Sequence, residues 1–216
     1  MSDQPPRIYE YETSGTEIYI GSFATIRAEA DLSGIPADAR TTVVRMIHAC
    51  GQVDLVADVA VHHELVDAAR SALNGGAAIF TDAMMIASGI TRKRLPAENE
   101  VVCTLRDPEV AQRAAQWSTT RSAAAVSLWD ERLAGAVVAI GNAPTALFRL
   151  LEQIAAGGPR PAAIIGVPVG FVGSAESKRA LTEFTPAIPY LVVHGRRGGS
   201  AMAVAAINAL AQEREI

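Results

Sequence analysis

Two rhythms of apolar and polar positions divide the chain. Up to about residue 74 the apolar side chains recur at helical spacing. Ser14 and Glu17 stand in the order of a capping box, which predicts a helix from there to about Asp31. Pro36 falls near the first turn of a second helix that runs to about Cys50 and stops at Gly51. A third is expected over 62–73, where Leu65, Ala68, Ala69 and Ala72 share a face and Asn74-Gly75-Gly76 ends it. The first twelve residues are polar and Pro-containing. They read as a loose arm with Tyr9 and Tyr11 as anchors.

Beyond residue 76 short apolar runs alternate with helical stretches. The runs cover 77–80, 101–105, 136–140, 162–167 and 190–193. The helices cover 108–117, 121–132, 144–156, 175–183 and 200–212. Runs that are apolar throughout suit strands buried on both faces. Strand–helix alternation implies parallel pairing with right-handed crossovers. The expected fold is therefore α/β and doubly wound (Rossmann-like). A mainly parallel sheet is flanked by helices, an N-terminal helical segment precedes it, and residues 1–216 form one domain.

Composition narrows the class. With 216 residues the chain can bury a sizeable core without disulfides. Half the residues are apolar but only 5% are aromatic. Alanine alone accounts for 40 positions, which favours close helix–sheet packing and leaves few rings for stacking bases. The net charge of −4 argues against a general nucleic-acid binder. Cys50 and Cys103 form no CxxC pair, and they read as small buried hydrophobes in a reducing cytoplasm. The N-terminus lacks the pattern of a signal peptide. The apolar run at 162–172 is too short and too interrupted by Gly166, Pro168 and Gly170 to span a bilayer.

Candidate chemistry gathers in three glycine-bearing turns after strands, at 141–145, 166–174 and 195–200. In a doubly wound sheet such turns meet at the carboxyl edge, where ligands bind. Their N–H groups and the helix starts that follow suit an anionic ligand. The nucleotide signatures G-x-G-x-x-G and G-x-x-x-x-G-K-[ST] are absent. So are a nucleophile elbow and HExxH. Arg45, Arg121, Arg196 and Arg197 lie near the turns or the second helix, and arginine pairs well with carboxylates. Lys93 and Arg94 read as solvated charge. His62 and His63 are adjacent and expected to face apart, so they make weak metal ligands. His194 ends a strand near the presumed ligand. His48 lies three residues after Arg45 on one helical face, where an imidazole can exchange a proton near neutral pH or merely meet the helix dipole.

Five motifs in order carry a resemblance. They are RMIHACG at 45–51, TRSAAA at 120–125, GAVVAIGNAPTALF at 135–148, GVPVGFVG with AESK at 166–178, and GRRGGSAM at 195–202. Together they resemble the precorrin-8X methylmutase family over nearly the whole chain. The resemblance implies an isomerase of cobalamin (vitamin B12) biosynthesis. Such an enzyme converts precorrin-8X to hydrogenobyrinate by a 1,5-sigmatropic methyl shift from carbon 11 to carbon 12. It implies no metal and no cofactor, and a cytoplasmic homodimer with its site near the subunit interface. Contact with neighbouring enzymes of the pathway would follow. His48 matches the family's catalytic histidine. Ser22 (in GSFATIR) and Arg45 match substrate-binding positions, and Thr91, Arg121, Asn142 and Arg196 are the further pocket candidates. Arg197 is expected to vary within the family.

Such a substrate suits the residues. Its acetate and propionate rim would meet arginines and turn N–H groups, and small side chains such as Ala143, Val167 and Val169 would cover its face. Three alternatives stay open: a corrinoid carrier without turnover, the cobalt-precorrin-8 methylmutase of the anaerobic route, and a nucleotide-dependent oxidoreductase. The wording of IHACG and GNAPTALF favours the metal-free route.

Overall fold

The computed structural model describes residues 7–212 and Arg214. The first six residues of the expected arm lie outside the described residues, and residues 7–12 are exposed and non-helical. Helix α1 (Gly15–Glu29) starts at Ser14, whose hydroxyl accepts the Glu17 N–H at 3.3 Å. The reciprocal half of the box belongs to Glu12, which takes the Ser14 N–H at 2.7 Å. A 3₁₀ turn (Ala37–Ala39) leads into α2 (Arg40–Cys50). Gly51 closes α2 at φ 68°, donating its N–H to the Ile47 carbonyl at 2.7 Å.

A six-stranded sheet follows: β1 (Val59–Val61), β2 (Ile79–Thr81), β3 (Val101–Val102), β4 (Val137–Ile140), β5 (Ala163–Gly166) and β6 (Tyr190–Val193). Its spatial order is β1-β6-β5-β4-β2-β3. Every pair is parallel except β1 with β6. The intervening helices are α3 (Leu65–Asn74), α4 (Met84–Gly89), α5 (Pro108–Gln116), α6 (Arg121–Val126), α7 (Pro144–Ala155), α8 (Ser174–Thr182) and α9 (Ser200–Leu210).

Alternate residues of each strand feed two different cores. Val137, Ala139, Ile165, Leu191 and Val193 pack under α1, α2, α3 and α9. Val138, Ile140, Ile164 and Val192 pack against α7 and α8, with Phe80 and Trp129 in ring contact at 5.3 Å. Every residue of β2, β4 and β5 is buried, which explains why these strands read as unbroken apolar runs.

The differences from the sequence reading have local causes. β1 and α4 were not foreseen, being three and six residues long. The third helix begins at Leu65 instead of residue 62, because the His62 N–H still pairs with the Tyr190 carbonyl at 2.9 Å and prolongs the strand. The run expected over 101–105 ends at Val102, where Thr104 turns the chain and donates to the Ala125 carbonyl at 2.7 Å. The helix expected over 121–132 stops at Val126. Trp129 then enters the core, and Asp130 caps a separate turn at the Arg132 N–H. Both thiols are half-buried, not buried.

The turns after β5 and β6 interlock. Gly199 donates to the Val167 carbonyl at 2.9 Å and Gly170 to the Arg196 carbonyl at 3.1 Å. Gly198 sits at φ 158°, where a Cβ would lie 2.2 Å from the Val167 oxygen. Gly195 also has positive φ (75°) but faces open space. Gly198→Ala should therefore cost about 3 kcal/mol or more, by strain plus collision. Gly195→Ala should cost only about 1 kcal/mol. Urea unfolding of the two variants checks the ranking, and equal losses would refute the close approach.

Candidate active site

Helix α2 buries Val43, Val44, Met46 and Ile47 against α9 and leaves Arg45 and His48 on its other side. Their three-residue spacing keeps them on one face, as expected. Helix α1 crosses above them and supplies two rings that sequence reasoning did not single out. The His48 imidazole lies 5.3 Å from the Tyr19 ring and meets the Phe23 ring edge-on at 5.2 Å. The Arg45 guanidinium stands 5.7 Å over the Phe23 ring. A groove of about 360 Å³ opens here, lined by Ser22, Thr25, Ile26, Ile47, His48 and Gly51 among others. The Ser22 hydroxyl donates to the Ile18 carbonyl at 2.7 Å, so its oxygen keeps lone pairs for an incoming donor.

Arg94 is not solvated surface charge. It is half-buried and donates to the Asn208 carbonyl at 3.0 Å and to the Arg214 carbonyl. Burial, and then the nearby Arg45 cation, push its guanidinium below the ordinary range. Thr91 shares Asn208 with it, donating its backbone N–H to the Asn208 side-chain oxygen at 2.9 Å. Asn208 thus ties Thr91 to the Arg45–Arg94 side of the molecule.

The other candidates sit at the carboxyl edge of the sheet. Arg121 opens α6 and donates to the Leu105 carbonyl at 3.3 Å. Its neighbour Thr120 shares a 2.7 Å hydroxyl contact with Thr145 in the first turn of α7. Asn142 is exposed on the turn after β4. The Arg196 guanidinium covers the exposed Phe171 ring at 5.2 Å. Arg197 is spent on structure: it bonds Asp54 at 2.8 Å and also grips Asp58, which holds its guanidinium above the ordinary range.

Two expectations about this edge need correction. The N–H groups of the first glycine turn do not await an anion. Buried Asp82, at the end of β2, accepts all three from Gly141, Asn142 and Ala143 at 3.0, 3.1 and 2.7 Å. Burial pushes the Asp82 carboxyl up, and the three donors pull it back. In the two later turns the Gly170 and Gly199 N–H groups are likewise engaged, by the Arg196 and Val167 carbonyls. Val167 is fully buried in the core and cannot cover a ligand, whereas Val169 is exposed.

The described residues therefore fall into two groups. Ser22 and His48 line the α1–α2 groove, Arg45 stands beside them over the Phe23 ring, and Thr91 is held by Asn208. Arg121, Asn142 and Arg196 lie along the carboxyl edge. His62 and His63 do not face apart: their rings are 4.4 Å from centre to centre, because the chain bends so that the Glu64 N–H reaches His62 Nδ1 at 3.3 Å. With Glu64 they form a group of metal-ligand spacing beyond the end of β1, and none of the three lines the groove. Among the described residues no helix is long and apolar enough to cross a membrane.

Beneath the Arg196 turn lies Lys178, the last residue of the AESK motif, to which the sequence alone assigns no role. It is fully buried and donates to the Arg197 carbonyl at 2.7 Å. Burial lowers its ammonium from 10.5 to about 8, against the pull of Asp58. Ser174 ties this turn to the one after β5, its hydroxyl shared between the Gly195 and Pro168 carbonyls at 3.3 and 2.8 Å.

Comparison with known proteins matches this geometry to one family. The family model described as precorrin-8X methylmutase matches residues 17–213. The precorrin-8X methylmutase of Pseudomonas aeruginosa is 57% identical over 206 residues, covering 95% of this chain and 99% of that protein. That of a Sinorhizobium species is 57% identical over 204 residues, covering 94% and 97%. The cobalt-precorrin-8 methylmutase of Leptospira interrogans is 34% identical over 203 residues, covering 91% and 92%. Among solved structures, precorrin-8X methylmutase from Thermus thermophilus superposes with a TM-score of 0.80 at 41% identity, covering 89% of this chain and 94% of that one.

The buried Lys178 predicts a pH signature. Below about pH 8 the folded and unfolded chains both carry its proton, and the folded state bears the full burial cost. Between about 8 and 10.5 only the unfolded chain keeps the proton, so this residue's contribution to stability rises with pH. Relative to Lys178→Met, the wild type should gain about 2 kcal/mol between pH 7.5 and pH 10. Denaturant unfolding at the two pH values measures it, and parallel profiles would refute the assignment.

Proposed function

Because the chain belongs to the precorrin-8X methylmutase family, we propose that it converts precorrin-8X to hydrogenobyrinate with His48 as the proton-bearing residue. The chain is an isomerase of cobalamin biosynthesis. One observation carries the site reading: His48 stands in an open groove, packed on Tyr19 and Phe23, with the Arg45 cation over the same Phe23 ring. The exposed Tyr19 ring beside His48 suits a flat conjugated macrocycle, and a guanidinium suits its carboxylate rim.

In this mechanism the methyl group leaves carbon 11 and bonds to carbon 12 while the double bonds shift along the ring. Nothing is gained or lost. His48 donates a hydrogen bond to the conjugated system near ring C, or protonates it and takes the proton back once the methyl group has moved. Electron density is drawn across the ring, and the barrier to migration falls. Arg45 and Ser22 orient the rim, with Thr91, Arg121, Asn142 and Arg196 as further contacts. General acid action of this kind contributes about 10²–10⁴-fold.

The metal-free substrate is supported by the names of the 57% relatives, against 34% for the cobalt-precorrin relative. A homodimer is supported by the exposed face of α1 beside the groove, where Ile18, Tyr19 and Ile20 are each more than 40% exposed. A second copy covering that face would close the site, and its carboxyl-edge arginines could complete it. Two free thiols fit a reducing cytoplasm.

The test has two arms. Visible-spectrum titration with hydrogenobyrinic acid should show stoichiometric binding by the wild type, His48→Ala and His48→Asn alike. Turnover of precorrin-8X should fall about 10²–10⁴-fold in both variants. Full turnover by His48→Ala would end the catalytic role. Binding without turnover by the wild type would favour a carrier, and preference for the cobalt-containing corrin would move the chain to the anaerobic route.

A further inference from the structure

Arg197 and Lys178 connect the two groups of candidate residues. Lys178, on α8, is among the largest side chains with no exposure to solvent. A lysine that deep is rare unless something holds its charge. Its ammonium meets the Arg197 carbonyl at 2.7 Å, inside the turn that carries Arg196. The Arg197 guanidinium reaches a different part of the molecule. Nε bonds Asp58 at 3.0 Å and Nη1 bonds Asp54 at 2.8 Å. Both aspartates belong to the 3₁₀ stretch Val53–Asp58, which follows directly from the end of the His48 helix. Val53 also lines the His48 groove, and the Asp58 carbonyl accepts the His194 N–H at 2.8 Å. One residue is thus tied through its carbonyl to α8 and through its side chain to the segment behind His48.

We propose that Lys178 and Arg197 are positioning residues that hold the Arg196 turn and the end of the His48 helix at one fixed separation. The kinetic consequence rests on the function proposed above. A macrocycle is rigid, so a guanidinium on its rim and an imidazole near its reacting carbons must match it together. A slip of about 1 Å costs about 100-fold in rate. Such a clamp acts on the reacting geometry, not on uniform binding, so its loss lowers kcat more than it raises KM.

Variants at three positions test this. Lys178→Met keeps the bulk and removes the donor. Arg197→Lys keeps a cation for one aspartate. Asp54→Asn alters a residue whose side chain is 79% exposed, so it leaves the core intact and carries the test if Lys178→Met fails to fold, an unchanged kcat then counting against the clamp. Expected for Lys178→Met is a kcat loss of about 10- to 100-fold with KM changed less than about threefold. Arg197→Lys should recover most of the kcat lost by Arg197→Met, and Asp54→Asn should lose less than Lys178→Met. The double variant Lys178→Met/Arg197→Met should be no slower than the worse single, because both act through one turn. Amide exchange gives a readout independent of activity. In Lys178→Met, residues 195–199 and 53–58 should open together, while 141–143, held by Asp82, should not change.

Unchanged kcat in Lys178→Met, or faster exchange confined to one of the two segments, would overturn the proposal. A wild type that fails to turn over precorrin-8X would overturn the proposed function instead. Joint exchange would then still support the clamp, and separate exchange would still refute it.

Discussion

A sheet covered on both faces has no polar surface of its own. In β2, β4 and β5 every side chain is buried, odd positions in one core and even positions in the other. A charged group within these strands would need a partner and an unfavourable transfer from water. Chemistry is therefore displaced to the carboxyl edge of the strands and to the outward faces of the covering helices. His48 and Arg45 take the second route, and Arg121, Asn142 and Arg196 take the first. The division of the candidate residues into two groups follows from the burial of the sheet.

Displacement to loops raises a second problem, since loops lack the ladder of hydrogen bonds that holds a strand. The turns at this edge borrow rigidity from buried polar groups. Asp82 holds the turn after β4, Ser174 and Lys178 hold the turn after β6, and the two later turns bond to each other through Gly170 and Gly199. The bonds to Asp82, Lys178 and from Ser174 to Pro168 are buried or half-buried, where an unmatched carbonyl or N–H is costly. The edge is rigid because opening it would strand those groups.

Much of the fold could be read from local pattern. Tyr190–Val193 appeared at its observed limits because nothing polar interrupts it, and Gly51 marked the end of α2 because only a residue at ease with positive φ sits there. β1 escaped notice since three residues make no periodicity and its partner β6 lies far along the chain. Helix α6 was overextended because the alanine-rich run carries no stop signal, and the stop comes from Trp129 entering the core. At the site, Arg45 and His48 were legible as neighbours within one helix. Arg94, Asp82 and Lys178 were not. Their partners are distant in sequence, Gly141 being 59 residues from Asp82. A buried charge looks in sequence like any surface charge.

Asp82 also explains a resemblance that stops short. A glycine turn leading into a helix is where many doubly wound proteins seat the phosphate of a nucleotide. Here the seat is taken by a side chain of the same polypeptide, an endogenous surrogate for the missing phosphate. An outside phosphate would find the backbone donors engaged and a carboxyl already in its place. The fold keeps a glycine turn and a helix start at the carboxyl edge while its own residue occupies the position between them.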